Sequence, residues 1–284
     1  MSTTLKTVPN VPYQISLNHK VVPKQSHPFT FSLDHTNNTL THSTSLEPNP
    51  TMKSFTAAAL PTTFSLVSFN LVPPILDQGQ IGSCVANAFA FNVKSQTNKS
   101  IQLSRLHLYA VSRILDDTPL SDDAGTTLQS ACKAISQYGY VQETVYPYTN
   151  ITTNYTKLSS LQVFQSSKLF KTFSYSFVAQ NLASIKACLV TYHVPVIFGF
   201  LVYSSFMTAG VANTGTIQNP NIRSETLEGG HCMNIIGYND TTQRFTCANS
   251  WGTGWGASGF CTIPYAYILN PQLASDFCFM KITQ

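Results

Sequence analysis

The sequence predicts an α+β fold with two segregated lobes, one mainly helical and one built from antiparallel strands. Helical periodicity dominates the first half of the chain after about residue 60. Short strand-like runs separated by turns dominate the second half. Segregated rather than alternating elements are typical of α+β architecture. With 284 residues, the chain is long enough for one large domain or two lobes with a buried core.

The helices can be placed from their apolar faces and caps. After Ser83, residues 85–93 are apolar on nearly every side, which predicts a buried helix. Ser104 is a suitable N-cap for a second helix, and Gly139 is a suitable end for a third. A fourth amphipathic helix is predicted over residues 181–192.

Five strand-like runs follow the fourth helix. They are separated by glycine-rich or Asn/Asp-containing turns, which favours hairpin connections. The runs are 194–203, 231–238, 244–250, 259–265 and 278–283.

Composition at the start of the chain sets residues 1–59 apart. This segment is rich in Thr, Ser, Asn and Pro and has no helical periodicity. It is interpreted as an N-terminal extension, either a flexible or edge-packed tail or a propeptide. The remaining 60–284 form the predicted domain, with a helical lobe at about 78–180 and a β lobe at about 181–284 that also takes in 60–77.

Charge and hydropathy exclude some functions. Charged residues make up only 10% of the chain, and the net charge of +4 is not clustered, so no nucleic-acid partner is expected. The longest apolar stretch, 194–203, is too short to span a bilayer. The first residues lack the apolar segment of a secretory signal. The sequence does not decide whether the protein works in a reducing interior or in an acidic vesicle.

The spacings of the seven cysteines give neither a CxxC metal pair nor a dense disulfide framework, so no metal site is expected. Cys132 and Cys188 lie on inward helix faces and are predicted to be buried free thiols. Cys232 is predicted to lie in the core. Cys247 and Cys261 lie on neighbouring strand-like runs and could pair.

Cys84 is different, because it stands where the loop "QGQIGS" meets the first buried helix. The positive end of a helix and its unpaired N–H groups favour a thiolate. Gly79, Gly82 and Ser83 allow the backbone to approach a ligand closely. A lone cysteine in this setting is nevertheless more often an inert core thiol, so its interpretation depends on residues further along the chain.

Two polar residues in the second half complement Cys84. His231 follows Gly230 at the start of a strand-like run, and Asn249 ends another run 18 residues later. An amide can hold one imidazole nitrogen so that the other faces a thiol. Trp251 can shield that hydrogen bond from water.

Gln78 completes the set of four. It lies six residues before Cys84, and its side-chain N–H can join the Cys84 backbone N–H in an oxyanion hole.

The segments "DQGQIGSCVANAFA", "GGHCMNIIGYN" and "CANSWGTGWGASGF" resemble the papain/cathepsin family of cysteine peptidases. They are most similar to its simpler branch, which has Val or Thr after the catalytic cysteine. The similarity runs from about residue 60 to the C-terminus. It implies a papain-like fold, with an active-site cleft between the helical lobe and a β-barrel-like antiparallel lobe.

The resemblance also implies roles. Cys84 matches the nucleophile, His231 the general base and acid, Asn249 the residue that orients the imidazole, and Gln78 the oxyanion donor. The implied reaction is hydrolysis of peptide bonds in protein or peptide substrates through a thioester, by a monomeric enzyme that needs no cofactor.

Substrate-binding residues are implied as well. Ala124 and Gly125 are similar to the glycine-containing segment that holds an extended substrate like an added strand. Ser83, Gly230 and Trp251 are the other predicted contacts.

Several positions depart from the family pattern. Ile81 stands where many members have a disulfide-forming cysteine, and Val85 replaces the usual tryptophan. Residues 1–59 lack the charged helical pattern of the family's propeptides, although they could still inhibit the enzyme as part of a zymogen. A two-histidine insertion found in carboxydipeptidases has no counterpart, which favours endopeptidase action. The pair Asp122-Asp123 is predicted to be a solvated turn.

Two other functions remain open. A non-catalytic protein could keep the cleft for peptide binding alone, and an acyltransferase or ligase could use the same thioester.

Overall fold

A computed structural model describes residues 60–284, so the predictions made for residues 1–59 lie outside the described residues. The strands are β1 (Thr63–Ser65), β2 (Thr172–Phe177), β3 (Val196–Tyr203), β4 (Leu227–Asn239), β5 (Arg244–Ala248), β6 (Phe260–Pro264) and β7 (Ala274–Thr283). The helices are α1 (Cys84–Gln96), α2 (Arg105–Leu115), α3 (Leu128–Tyr138), α4 (Ile151–Asn154), α5 (Leu161–Gln165), α6 (Leu182–Tyr192), α7 (Ala209–Thr214) and α8 (Tyr265–Ile268).

The strands form one seven-stranded antiparallel sheet in the order β2-β7-β3-β4-β5-β6, with β1 paired to β4. Along residues 60–284, six of the eight helices, α1–α6, come before β3, and five of the seven strands, β3–β7, come after α6. This segregation confirms the α+β prediction. All five predicted strand-like runs are present as β3–β7. Strand β2 was not predicted; it is a half-buried edge strand that falls within the range predicted for the helical lobe.

Helix α1 lies between the helical layer and the sheet, and every residue from Cys84 to Val93 is buried. The Asn234 side chain on β4 donates to the Ala88 carbonyl at 3.1 Å, and Asn92 donates to the Pro195 carbonyl at 2.8 Å. These bonds fix α1 against β4 and the start of β3. The N-terminus of α1 is therefore held at a constant position relative to the sheet.

The predicted helix boundaries follow from their caps. The Ser104 hydroxyl accepts from the His107 N–H at the start of α2, and the Thr127 hydroxyl accepts from the Ser130 N–H at the start of α3. Gly139 ends α3 with φ of 77°, a value that favours glycine. Ile114, near the end of α2, is 44% exposed.

All seven cysteines are free and buried. This confirms Cys132 and Cys188 as buried thiols and places Cys232 in the core. Cys247 and Cys261 are direct neighbours across β5 and β6 but form no disulfide.

Within residues 60–284, no helix combines the length and the apolar character needed to cross a membrane. The same part of the chain contains no group of three or more His, Cys, Asp or Glu side chains placed to hold a metal ion.

His107 gives the fold a predictable pH dependence. Burial lowers its pKa to about 4. Below about pH 6.5 the unfolded chain therefore binds a proton that the folded chain does not, so the free energy of unfolding falls as the pH falls toward 4. The loss corresponds to roughly 3 kcal/mol for a histidine with this difference in pKa. Urea unfolding at pH 7, 5.5 and 4 should show a weaker pH dependence for His107→Gln than for the wild type, and parallel curves would contradict this assignment.

Candidate active site

Cys84 is the first residue of α1 and is only 3% exposed. It lies near Cys232, the residue that follows His231 on β4, whose backbone N–H favours the thiolate form of Cys84. Burial raises the pKa of the thiol to about 12, while the N–H groups of Cys232, Val85 and Cys84 itself act in the opposite direction. The helix N-terminus thus supplies the predicted stabilisation of a thiolate, but burial outweighs it for the thiol alone.

His231 and Asn249 meet across the sheet. His231 lies on β4, and Asn249 directly follows β5. The distance from His231 Nε2 to Asn249 Oδ1 is 2.7 Å, and the same oxygen accepts from the Ser250 N–H at 2.8 Å. Since an amide oxygen can only accept, Nε2 carries a proton and Nδ1 is the nitrogen that can take one.

Aromatic rings surround this imidazole. Trp251 lies 5.0 Å from His231 between ring centroids at an angle of 33°, and Phe200 and Phe206 contact other sides of the ring. His231 is fully buried, and burial lowers its pKa to about 4, although the bond to Asn249 opposes this change. Exclusion of water strengthens the His231–Asn249 hydrogen bond.

The two pKa changes determine how the Cys84–His231 pair can ionise. Burial disfavours a charge on either group alone, so the neutral thiol and neutral imidazole are the favoured forms of the separate groups. Proton transfer from sulfur to nitrogen creates two opposite charges together, and their attraction in a buried site opposes the cost of desolvation. A thiolate on Cys84 and an imidazolium on His231 would offset each other's cost of burial only if they formed together.

Gln78 is fully buried between the two halves of the site. Its Nε2 donates to the Ile81 carbonyl at 3.0 Å, and its Oε1 accepts from the Ser250 hydroxyl at 2.7 Å. An amide nitrogen has two hydrogens, so a second N–H remains to donate. The backbone also links this loop to the turn after β5, through a bridge between Asp77 and Trp251.

Ser250 connects Gln78 to Asn249, a role that was not predicted from the sequence. It bonds Gln78 through its hydroxyl and Asn249 through its N–H. Its carbonyl also accepts from the Gln78 N–H at 2.8 Å. One residue therefore fixes the relative position of the two amide side chains, and its place directly after Asn249 was the available signal.

A partly buried network of side chains that supports the nucleophile loop was also not predicted. The Tyr148 hydroxyl lies 2.6 Å from the Ser83 hydroxyl and donates to the Gln78 carbonyl at 2.8 Å. The Arg105 guanidinium lies 3.7 Å from the centre of the Tyr148 ring and pairs with both oxygens of Glu143 at 2.7 and 2.8 Å. Because these partners are far apart in sequence, no local motif reveals the network.

The predicted substrate-binding residues differ in accessibility. The Ser83 hydroxyl is buried in the Tyr148 network, and Gly230 is a buried residue paired with Leu201. Trp251 is 9% exposed, and Ala124 is half-buried. These residues stay predictions as substrate contacts.

Gly125 is also less available than expected. Its N–H donates to the Tyr109 hydroxyl at 3.1 Å. Its φ of 71° explains the preference for glycine at this position.

The prediction of a solvated turn at Asp122-Asp123 was wrong for the second residue. Asp122 is exposed, but Asp123 is only partly exposed, and its carboxylate accepts from the Gly82 N–H at 2.9 and 3.0 Å. An acidic pair in a polar loop gives no sign that one member points inward.

Comparison with known proteins supports the resemblance. Residues 60–276 match the model of the family described as papain family cysteine protease. An uncharacterised peptidase C1-like protein of Acanthamoeba polyphaga mimivirus is 30% identical over 215 residues, which cover 71% of this chain and 68% of the viral protein. Cathepsin C of Schistosoma mansoni is 24% identical over 68% of this chain and 44% of its own length.

Solved structures of cysteine proteases also resemble this chain in fold. Xylellain, a cysteine protease from Xylella fastidiosa, is 29% identical, with a TM-score of 0.72 over 99% of this chain and all of its own. Digestive procathepsin L 3 of Tenebrio molitor has a TM-score of 0.61 at 21% identity, over 78% of this chain and 70% of its own, and shows the fold.

Proposed function

The chain belongs to the papain family of cysteine proteases and is a cysteine-type peptidase, and we propose that it is an endopeptidase whose nucleophile is Cys84. The observation that carries the proposal is the 2.7 Å hydrogen bond between His231 Nε2 and Asn249 Oδ1. The N–H of Cys232, the residue after His231, favours the thiolate of Cys84, which places the thiol near this imidazole. A fixed imidazole beside a thiol at a helix N-terminus is the arrangement that nucleophilic catalysis requires.

The proposed reaction begins with transfer of the Cys84 proton to His231 Nδ1. The thiolate attacks the scissile carbonyl, and His231 then protonates the leaving amine as the thioester forms. The same imidazole next removes a proton from water, which hydrolyses the thioester and restores the thiol. Asn249 keeps the ring in one orientation throughout, since its oxygen accepts from Nε2.

The oxyanion that forms during attack needs donors. In the proposal these are the Cys84 N–H and the second N–H of Gln78 Nε2. The Gln78 side chain is already held at both ends by Ile81 and Ser250, so its donor does not have to reorganise when negative charge develops. The loop that carries Gln78 and Ser83 is held by hydrogen bonds to Tyr148. Tyr148 in turn packs against Arg105, which pairs with Glu143.

Internal cleavage separates the proposed function from its alternatives. A peptide blocked at both ends and carrying an internal fluorophore–quencher pair should be cleaved by the wild type and not by Cys84→Ala. Binding without turnover would instead favour a non-catalytic peptide-binding protein. Dominant transfer to an added amine rather than to water would favour an acyltransferase or ligase.

Residues 1–59 are proposed to act as an autoinhibitory segment that is removed near residue 60. The support is their distinct composition and the start of the family match at residue 60. Incubation of wild-type and Cys84→Ala chains, followed by N-terminal sequencing, should show a new N-terminus near residue 60 in the wild type alone. Full activity at intact length, with no processing, would contradict this proposal.

A further inference from the structure

Asp123 connects the nucleophile loop to the segment predicted to align substrate. Its two carboxylate oxygens accept from the Gly82 N–H at 2.9 and 3.0 Å, and Oδ1 also accepts from the Tyr109 hydroxyl at 2.5 Å. The same hydroxyl accepts from the Gly125 N–H at 3.1 Å. A continuous chain of hydrogen bonds therefore runs from Gly82, two residues before Cys84, to Gly125.

The contact between Gly82 and this segment is close. A Cβ atom at Gly82 would lie 3.2 Å from Asp123 Oδ1, 3.3 Å from Gly125 N and 3.3 Å from the Tyr109 hydroxyl. The hydrogen bonds thus set a separation that leaves little space for a methyl group.

Tyr109 provides a rigid base for this connection. It is fully buried on α2, and the Arg113 guanidinium lies 4.0 Å from the centre of its ring. Burial and the neighbouring Asp123 raise its pKa, so the hydroxyl keeps the proton that it donates to the carboxylate. Hydrogen bonds to an ionised carboxylate are stronger than neutral ones.

The remainder of the loop is fixed by two other charged residues. The Asp116 carboxylate accepts from the hydroxyls of Thr126, Thr127 and Ser130 and from the Thr127 N–H. The Arg113 guanidinium donates to carbonyls of the loop at 2.7 and 3.0 Å. The loop therefore has a defined shape, and Asp123 determines where that shape lies relative to Gly82.

We propose that Asp123 is a positioning residue that holds the predicted substrate-aligning segment, Ala124 and Gly125, at its working distance from Cys84. The inference rests on the proposed function. The residue before Gly82 is Ile81, which cannot form a disulfide, and all seven cysteines are free. Within residues 60–284, therefore, no disulfide holds the two segments together. A charge-assisted hydrogen bond replaces a covalent link.

The proposal predicts that loss of the carboxylate harms extended substrates more than short ones. An extended peptide uses the edge, whereas an ester of a single blocked amino acid uses only the nucleophile and its immediate neighbours. For Asp123→Ala, kcat/KM for a blocked tetrapeptide should fall about 10- to 100-fold, mainly through KM, because a small displacement of an aligning group has an effect of this size. The single-residue ester should change by less than about threefold, since the Cys84 site is intact.

Two further variants make the test specific. Asp123→Asn keeps one oxygen that can accept from the Gly82 N–H and should give an intermediate loss on the tetrapeptide. Asp122→Ala removes the same charge from the exposed neighbouring residue and should leave the ratio of the two substrates unchanged.

The outcomes can be separated. Equal losses on both substrates, or no loss on either, would overturn the positioning role. If Asp123→Ala does not fold, as judged by thermal unfolding, the comparison of Asp123→Asn with Asp122→Ala decides the question. Failure of the proposed function would appear differently, as absence of turnover of both substrates by the wild type.

Discussion

Replacement of His231 by Ala is expected to lower kcat/KM by about 10⁴-fold, because removing one member of a catalytic set that acts as a unit has an effect of this order. The variant keeps the Cys84 thiol, but burial raises the pKa of that thiol to about 12, so few molecules would carry the nucleophilic form near neutral pH. Steady-state turnover of an internally quenched peptide measures the effect. The loss should appear in kcat, since the imidazole acts on protons rather than on substrate binding.

A second histidine provides the control for this experiment. His193 ends α6 and packs against Phe69 at 4.5 Å between ring centroids. His193→Ala removes an imidazole that packs against Phe69 and leaves Cys84, His231 and Asn249 in place, so its kcat/KM should stay within about threefold of wild type. Similar losses in both variants would indicate damage to the fold rather than loss of a general base.

Replacement of Gln78 by Ala is expected to lower kcat by about 10²- to 10³-fold with little change in KM, because an oxyanion donor acts mainly in the transition state. The side chain is fully buried and bonded to Ile81 and Ser250, so its amide is held in place before substrate arrives. Gln78→Glu has nearly the same shape but replaces the donor by a negatively charged acceptor. It should be at least as impaired as Gln78→Ala.

Gln80→Ala is the matched control, because Gln80 is exposed and lies two residues further along the same loop. It should keep wild-type kcat. A normal kcat for Gln78→Ala, with an increase in KM alone, would show that Gln78 binds the ground state and is not an oxyanion donor.

The elements around the site could be predicted from sequence because their signals are local. Apolar residues on all sides predicted the buried α1, and Ser104 and Gly139 predicted helix ends that the structure confirms. The contact between His231 and Asn249 could also be anticipated. Each residue lies in a recognisable motif, and an amide oxygen is a suitable acceptor for an imidazole N–H. Strand β2 was missed although its six residues, TFSYSF, alternate strictly between polar and aromatic side chains. The period-2 signal was therefore available, but only one of the six residues is buried and the segment lies outside the run of strands in the second half of the chain.

The residues that hold the loops of the site in place, such as Tyr148 and Asp123, could not be predicted in the same way. Tyr148 lies 65 residues from Ser83, and Asp123 lies 41 residues from Gly82. Their roles depend on the separation between loops in the folded chain, which single-sequence patterns do not encode. Asp123 illustrates the difficulty, because its exposed neighbour Asp122 has the same side chain.

The pH dependence of alkylation by iodoacetamide tests most directly whether Cys84 and His231 act as one ionising pair. Mass spectrometry of the peptide that contains Cys84 distinguishes this thiol from the other six. At pH 6 the wild type should react at least about 100-fold faster than His231→Ala, whose thiol should become reactive only at high pH because the thiolate is the reacting form. Superimposable pH profiles of the two proteins would contradict the pairing on which the proposed mechanism depends.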